Sequence, residues 1–192
     1  MNERVLRRAD AVPPVLGDHE DFLIIAGLGS PCRDVAAVNG AAPNAYPLSG
    51  AMGAATPIGL GLALARPDRR VLVLTGEGEL LMSVGALATV GVLDPGNLSI
   101  LCVDNGHYGE TGYQKSHTSR GVDLELMARG AGIRRTLTVA GEDTLKAGHD
   151  LIRETEHASF VLLRVDASEP APARFDLNAA ANRLRFREAL LG

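Results

Sequence analysis

Two side chains able to hold a hard cation, Glu77 and Asn105, lie 105 − 77 = 28 positions apart, each just beyond an apolar run. Glu77 sits in Gly76-Glu77-Gly78-Glu79, after Val71-Leu72-Val73-Leu74-Thr75. Asn105 sits in Asp104-Asn105-Gly106, after the run Leu98 to Val103. Magnesium takes oxygen ligands and commonly bridges a protein carboxylate to a phosphate. Runs this nearly apolar throughout read as strands covered on both faces of a parallel sheet. Gly76 and Gly78 allow a sharp turn and a close backbone approach. The segment Glu79 to Val92 has helical length and is almost wholly apolar. Gly85, Ala86, Ala88 and Gly91 keep it slim, and Asp94-Pro95-Gly96-Asn97 stops it. Its first N–H groups and positive dipole end suit an anion. Carboxylate, amide and helix start would then share the C-terminal edge of the sheet, where open α/β folds bind ligands. The chemistry implied is a cation paired with a phosphate group. An ordinary strand and helix joined by a glycine turn accounts for the glycines alone equally well.

The stretch resembles the diphosphate-binding domain of thiamine-diphosphate-dependent enzymes. Their motif opens on Gly-Asp-Gly and closes on Asn roughly 25 to 30 residues later, one strand–helix–strand unit. In texture it is most similar to the 2-oxo acid decarboxylases acting on sulfopyruvate and phosphonopyruvate, through LLMSVGALATVG, DNGHYGETG and HTSRGVDL. Upstream, Gly50-Ala51-Met52-Gly53 followed by Pro57-Ile58-Gly59-Leu60-Gly61 resembles the segment that grips the cofactor's aminopyrimidine.

The resemblance implies thiamine diphosphate and Mg2+ as cofactors. It assigns the metal to Glu77, the Asn105 side chain and the backbone carbonyl of His107. The cofactor would lie along Gly50, Ala51, Met52, Gly76, Gly78, Glu79, Asn105, Tyr108 and Gly109. Gly50 would offer its carbonyl to the pyrimidine amine, and Met52 would bend the two rings into a V that makes deprotonation intramolecular. Two residues depart from the family. Glu77 stands where the family has Asp, moving the carboxylate outward by roughly a bond length at a metal that wants distances of about 2.0 to 2.1 Å. Glu79 falls near the expected diphosphate, where unit charges 5 Å apart repel by about 3 kcal/mol at an effective dielectric of about 20. Its carboxylate is therefore expected to turn away and cap its own helix. The polar loop 114–120 follows the metal turn and reads as a mobile lid or a solvated connector. Lys115, His117, Thr118 and Ser119 on it are the candidate substrate contacts.

The elements that must position these groups define an α/β, three-layer, doubly wound and mostly parallel sheet, in a single diphosphate-binding domain over 1–192. A helix is expected from Glu3 to Val15, interrupted at Pro13-Pro14. A strand over Phe22–Ala26 and a short helix over Pro31–Val38 follow, then an irregular loop from Asn39 to Ser49 and a helix from Ala54 to Ala65. Beyond the polar loop come a helix over Val122–Arg129, a strand over Arg134–Val139 and a helix over Thr144–Thr155. The last strand is Ser159–Val165, followed by a Pro-rich turn over Ala167–Ala173 and a closing helix over Leu177–Leu190. Gly27-Leu28-Gly29-Ser30 lacks the third glycine of a dinucleotide fingerprint, since Cys32 stands there.

At 192 residues the chain can bury a full core, and 46% apolar with 4% aromatic content suits an Ala/Val/Leu/Gly-rich sheet. A net charge of −4 without a basic tract argues against nucleic-acid binding. No apolar run reaches membrane-spanning length, and no secretory leader is seen. Cys32 and Cys102 read as free buried thiols, so a cytoplasmic location is expected. Of the histidines, His19, His149 and His157 read as ordinary surface or turn residues. No Gly-x-Ser-x-Gly elbow, His-Glu-x-x-His or Cys cluster appears, leaving serine hydrolysis and zinc chemistry without support.

Thiamine-diphosphate enzymes also need a pyrimidine-binding domain carrying the Glu that acts on the ring's 1′ nitrogen, and this chain has no room for one. The resemblance therefore implies one subunit of a split decarboxylase of a 2-oxo acid, a hetero-oligomer whose catalytic Glu belongs to a separate alpha subunit. The slim helix and Gly50 to Gly61 would form the shared face. The alternatives are a non-catalytic or regulatory subunit, or a carboligase or oxidoreductase subunit using the same cofactor.

Overall fold

The structure, a computed structural model, describes residues 6–169 and 172–191. Residues 3–5 of the expected first helix, and Pro170 and Ala171 of the expected Pro-rich turn, lie outside the described residues. In chain order the strands are β1 (Leu23–Ala26), β2 (Ala45–Pro47), β3 (Val71–Gly76), β4 (Leu98–Asp104), β5 (His107–Tyr108), β6 (Gln114–Lys115), β7 (Arg135–Val139) and β8 (Ser159–Arg164). Six of them form one sheet in the order β2-β1-β3-β4-β8-β7. Every neighbouring pair in it is parallel. The short β5 and β6 pair antiparallel apart from it.

The expected three layers are present. Because side chains alternate along a strand, Ile24, Ala26, Leu72, Leu74, Leu101, Val103, Val161 and Leu163 point to one face. There they meet α1 (Arg8–Leu16), α2 (Ser30–Asn39) and α7 (Glu142–Leu151). Leu23, Ile25, Val71, Val73, Leu98, Ile100, Phe160 and Leu162 point to the other. That face is covered by α3 (Ala55–Ala65), α4 (Glu77–Met82), α5 (Ala86–Leu93), α6 (Leu124–Gly130) and α8 (Ala179–Leu191). Among the described residues no helix is long and apolar enough to cross a membrane.

Three expectations need correction. The helix expected over Glu79–Val92 is two helices: α4 opens at Glu77, and the chain turns at Ser83–Gly85 before α5. Ser83 leaves the helical region (φ −131, ψ 36) and its hydroxyl donates to the Gly53 carbonyl at 2.5 Å, an alternative to the helical ladder. Pro13 and Pro14 do not interrupt α1. An interior proline costs about 3 kcal/mol, but Val12, Val15 and Leu16 are fully buried here and each contributes about 1.5 to 3 kcal/mol. The loop expected from Asn39 to Ser49 contains the edge strand β2, whose Tyr46 ring packs 5.6 Å from that of Phe186 on α8.

Glycines in and just before α5 separate packing from flexibility. A Cβ on Gly91 would sit 2.2 Å from the backbone oxygen of Ala131, whereas one on Gly85 would meet nothing within 4 Å. Gly91→Ala is therefore expected to destabilise the fold by about 1 to 3 kcal/mol. Gly85→Ala should be neutral or stabilising by up to about 1 kcal/mol. Urea unfolding of both variants against the parent checks the pair; equal midpoints would remove the α5–α6 contact as a constraint.

Candidate functional site

The chain leaves β1 toward β2 on one side and β3 toward β4 on the other, so the order reverses between β1 and β3. An open cleft of about 280 Å³ lies there, at the C-terminal edge. β3 and β4 are adjacent, with Gly76 opposite Val103, so Glu77 and Asn105 follow neighbouring strand ends. Both line the cleft.

Of the residues expected at the site, the cleft gathers Met52, Gly76, Glu77, Gly78 and Glu79 from one side. Asn105, His107, Tyr108 and Gly109 line the other. Gly50 and Ala51 do not line it; they are exposed on the loop leading to Met52. Gly76 and Gly78 do not act through unusual dihedrals. Gly76 is extended (φ −97) and neither glycine has positive φ. Gly78 is needed for space instead: a Cβ there would come within 2.9 Å of the Tyr108 ring.

Glu77 is 3% exposed, and its Oε1 is buried without a hydrogen bond. Burial pushes its pKa up to about 7, the negative charge of Asp104 adds to this, and the neighbouring Ser116 hydroxyl acts against it. Asn105 is 6% exposed; its Oδ1 accepts from the His107 N–H at 3.0 Å and keeps a second lone pair. The His107 ring is held by the Asn105 carbonyl, 3.0 Å from Nδ1, which therefore carries the proton. A buried carboxylate oxygen without a partner, beside an amide oxygen with spare capacity, fits a divalent cation. Among the described residues no cluster of three His, Cys, Asp or Glu side chains can hold a metal alone. The donor set thus needs backbone and ligand oxygens, as magnesium commonly does.

Glu79 lines the cleft and does not cap its own helix. It is 4% exposed, and Oε2 accepts from the Thr75 hydroxyl at 2.9 Å. The backbone N–H groups of Gly53, Ala55 and Leu28 face its carboxylate, which burial pushes above the usual range. None of them is aligned well enough to satisfy Oε1. A Cβ on Gly27 would lie 1.7 Å from Oε2, so only glycine leaves room for this carboxylate.

The loop 114–120 is tied by several hydrogen bonds. It carries β6 and a 3-10 turn over His117–Arg120. The Thr118 hydroxyl donates to Asp104 Oδ1 at 2.6 Å, and Ser119 donates to the Gly106 carbonyl at 2.6 Å. Tyr108 Oη and His117 Nδ1 lie 2.5 Å apart. Thr118 and Ser119 thus brace the turn carrying Asn105, while Lys115 stays exposed on β6, opposite His107.

Sequence reasoning missed Arg8, Ser30, Pro31 and Glu110, which also line the cleft. It missed Asp104 too, a buried acceptor for Gly106 N–H at 2.9 Å. Asp104 was legible as an Asx turn in Asp-Asn-Gly, but nothing local marks Arg8. Cys32 and Cys102 are free and buried, as expected. Burial raises Cys32 to about 12 and Cys102 well above its usual value, which removes both as nucleophiles.

Residues 29–165 match the family model described as the thiamine pyrophosphate enzyme, C-terminal TPP binding domain. The chain is similar to the sulfopyruvate decarboxylase subunit beta of Methanocaldococcus jannaschii, 31% identical over 96% of this chain and 97% of that one. It is also similar to a phosphonopyruvate decarboxylase of Streptomyces viridochromogenes, 38% identical over 65% of this chain and 31% of the other. In fold it matches an X-ray structure from Mycobacterium smegmatis described as a thiamin diphosphate-dependent enzyme. That match has a TM-score of 0.71 and 21% identity, over 85% of this chain and 32% of that one. The chain thus spans nearly all of the beta subunit but about a third of the other two proteins.

Glu77 makes the metal-free site sensitive to pH. Its folded pKa, about 7, lies above the ordinary 4.5, so between those values the folded chain binds more protons than the unfolded one. Stability should then fall as pH rises through that window, by about 3 kcal/mol in total. In chelator, urea unfolding at pH 5 and pH 7.5 should show most of this loss, and Glu77→Gln should reduce it, leaving only the share of other buried carboxyls such as Glu79. An unchanged pH dependence in the variant would mean that Glu77 is not the group responsible.

Proposed function

This chain belongs to the thiamine pyrophosphate enzyme family, and we propose that it is the diphosphate-binding subunit of a split 2-oxo acid decarboxylase. The substrate class is a 2-oxo acid with a second anionic group, of the sulfopyruvate or phosphonopyruvate kind. The observation that carries the reading is the partnerless, buried Oε1 of Glu77, facing the same cleft as Asn105 and His107. The names of the relatives supply the reaction class.

In this reading Glu77, the Asn105 side chain and the His107 carbonyl hold Mg2+, and the backbone at Gly76, Gly78 and Gly109 follows the diphosphate. When bound, the thiazolium ring of the cofactor supplies the electron sink for carbon–carbon cleavage. Met52, 42% exposed at the rim, supports the cofactor rings and shields them from water. Glu79 lies against the loop on which Met52 sits. Holding a metal would require Glu77 as carboxylate, so at neutral pH its proton would have to leave first. That competition favours a second reading, a regulatory subunit with weak metal binding.

The catalytic Glu toward the pyrimidine belongs to a separate alpha subunit, and the whole chain acts as one diphosphate-binding unit in a hetero-oligomer. Ile58, Leu64, Met82 and Val92 are exposed along α3 to α5, an apolar face suited to that partner. Two buried, unpaired thiols fit a reducing compartment such as the cytoplasm.

The test is carbon dioxide release by this chain combined with a pyrimidine-binding subunit, with thiamine diphosphate and magnesium. Sulfopyruvate or phosphonopyruvate should be consumed in preference to pyruvate. Glu77→Asp should retain or tighten magnesium binding. Glu77→Ala should weaken cofactor retention by at least about tenfold, as for lost support of a metal. Calorimetry that finds no cofactor binding by the parent complex would favour the regulatory reading.

A further inference from the structure

Arg8 opens α1, yet its side chain folds inward and is 2% exposed. Its Nε lies 3.0 and 2.9 Å from the two carboxylate oxygens of Asp34 on α2, and its Nη2 lies 2.5 Å from Oδ2. Asp34 is itself 3% exposed, so the pair is removed from water and the guanidinium plane is fixed. A buried ion pair is weak evidence for stability, because apolar residues of equal volume often serve as well or better.

What the pair leaves over is more informative. Among the described residues Nη1 has no hydrogen-bond partner. Arg8 lines the cleft next to Glu77, and no other Lys or Arg among the described residues does. The remaining charged lining is acidic: Glu77, Glu79 and Glu110. A cleft of that composition repels any phosphate or sulfonate unless a cation faces it, and a magnesium ion would offset only part of the charge. A rigid guanidinium presents N–H groups in the geometry that a tetrahedral oxyanion accepts.

We propose that Arg8, held in place by Asp34, is an anion-binding residue of this cleft that takes a tetrahedral oxyanion through Nη1. The inference rests on the reading of the cleft as a diphosphate site. Two ligands carry such an oxyanion there, the terminal phosphate of the cofactor and the sulfonate or phosphonate of the substrate.

The experiment uses the chain assembled with its partner subunit and two variants. Arg8→Lys keeps the charge and an ion pair with Asp34. Arg8→Gln combined with Asp34→Asn replaces the pair with neutral, mutually bonding side chains, so that no buried charge is left alone. Calorimetry measures binding of magnesium thiamine diphosphate and of magnesium pyrophosphate, and steady-state kinetics at saturating cofactor measure KM for a dianionic oxo acid and for pyruvate. Loss of one charge-assisted hydrogen bond is expected to weaken the relevant ligand about ten- to hundredfold in the double variant, and less in Arg8→Lys. Weaker diphosphate and pyrophosphate with unchanged KM assigns Nη1 to the cofactor. A higher KM for the dianionic acid alone, with unchanged cofactor affinity, assigns it to the substrate. Both results support the inference.

Unchanged pyrophosphate, cofactor and KM values in both variants overturn it and leave the family reading standing. A parent complex that binds pyrophosphate through Arg8 but not thiamine diphosphate would do the reverse. Should the double variant fail to fold, the same measurements on Arg8→Lys decide.

Discussion

The cleft depends on one buried carboxylate. Glu79 stands where the ends of β1 and β3 and the start of α3 converge, bonded to Thr75 and faced by backbone N–H groups of Leu28, Gly53 and Ala55. Each of those segments supplies part of the cleft wall. A loop crossing a sheet edge loses chain entropy when it is held in one position, and the N–H groups of three such segments turn toward this one carboxylate. The arrangement leaves room for no side chain at position 27. A buried carboxylate that loses its donors is a larger liability than an apolar side chain. The wall is therefore specified strongly by few atoms.

Charge is the second constraint. Glu77, Glu79 and the nearby Asp104 bring acidic groups to one strand edge, and burial, with the charge of Asp104 adding to it, raises the Glu77 pKa. Protons can neutralise such an edge, and a cation held there would do the same. As a donor set for one it would be incomplete, leaving room for ligand oxygens.

The sheet was readable because it is parallel and covered on both sides. β3, β4 and β8 are mostly apolar, without a polar residue at every second position, and such runs have few other homes. Glu77 and Asn105 were readable because each directly follows one of those runs. What escaped was set by contacts far apart in sequence. Ser83 breaks the expected helix by bonding to Gly53, 30 positions earlier. Arg8 meets Asp34 across 26 positions, and no local pattern at either residue announces the other. β2 is three residues long and half-buried, too short for a period-two signal. Thr118 and Ser119 have the composition of a free loop, and only the positions of Asp104 and Gly106 reveal them as braces.

The two thiols differ in what must move before solvent reaches them. Cys102 is fully buried in the middle of the central strand β4, paired with β3 on one side and β8 on the other. Cys32 lies in α2, its sulfur 2.9 Å from the Gly27 carbonyl behind the cleft wall. A reagent that modifies Cys102 has to wait for the sheet to come apart, whereas displacement of α2 alone uncovers Cys32. The chain therefore carries two clocks, one timing global unfolding and one timing the opening of a single helix beside the site.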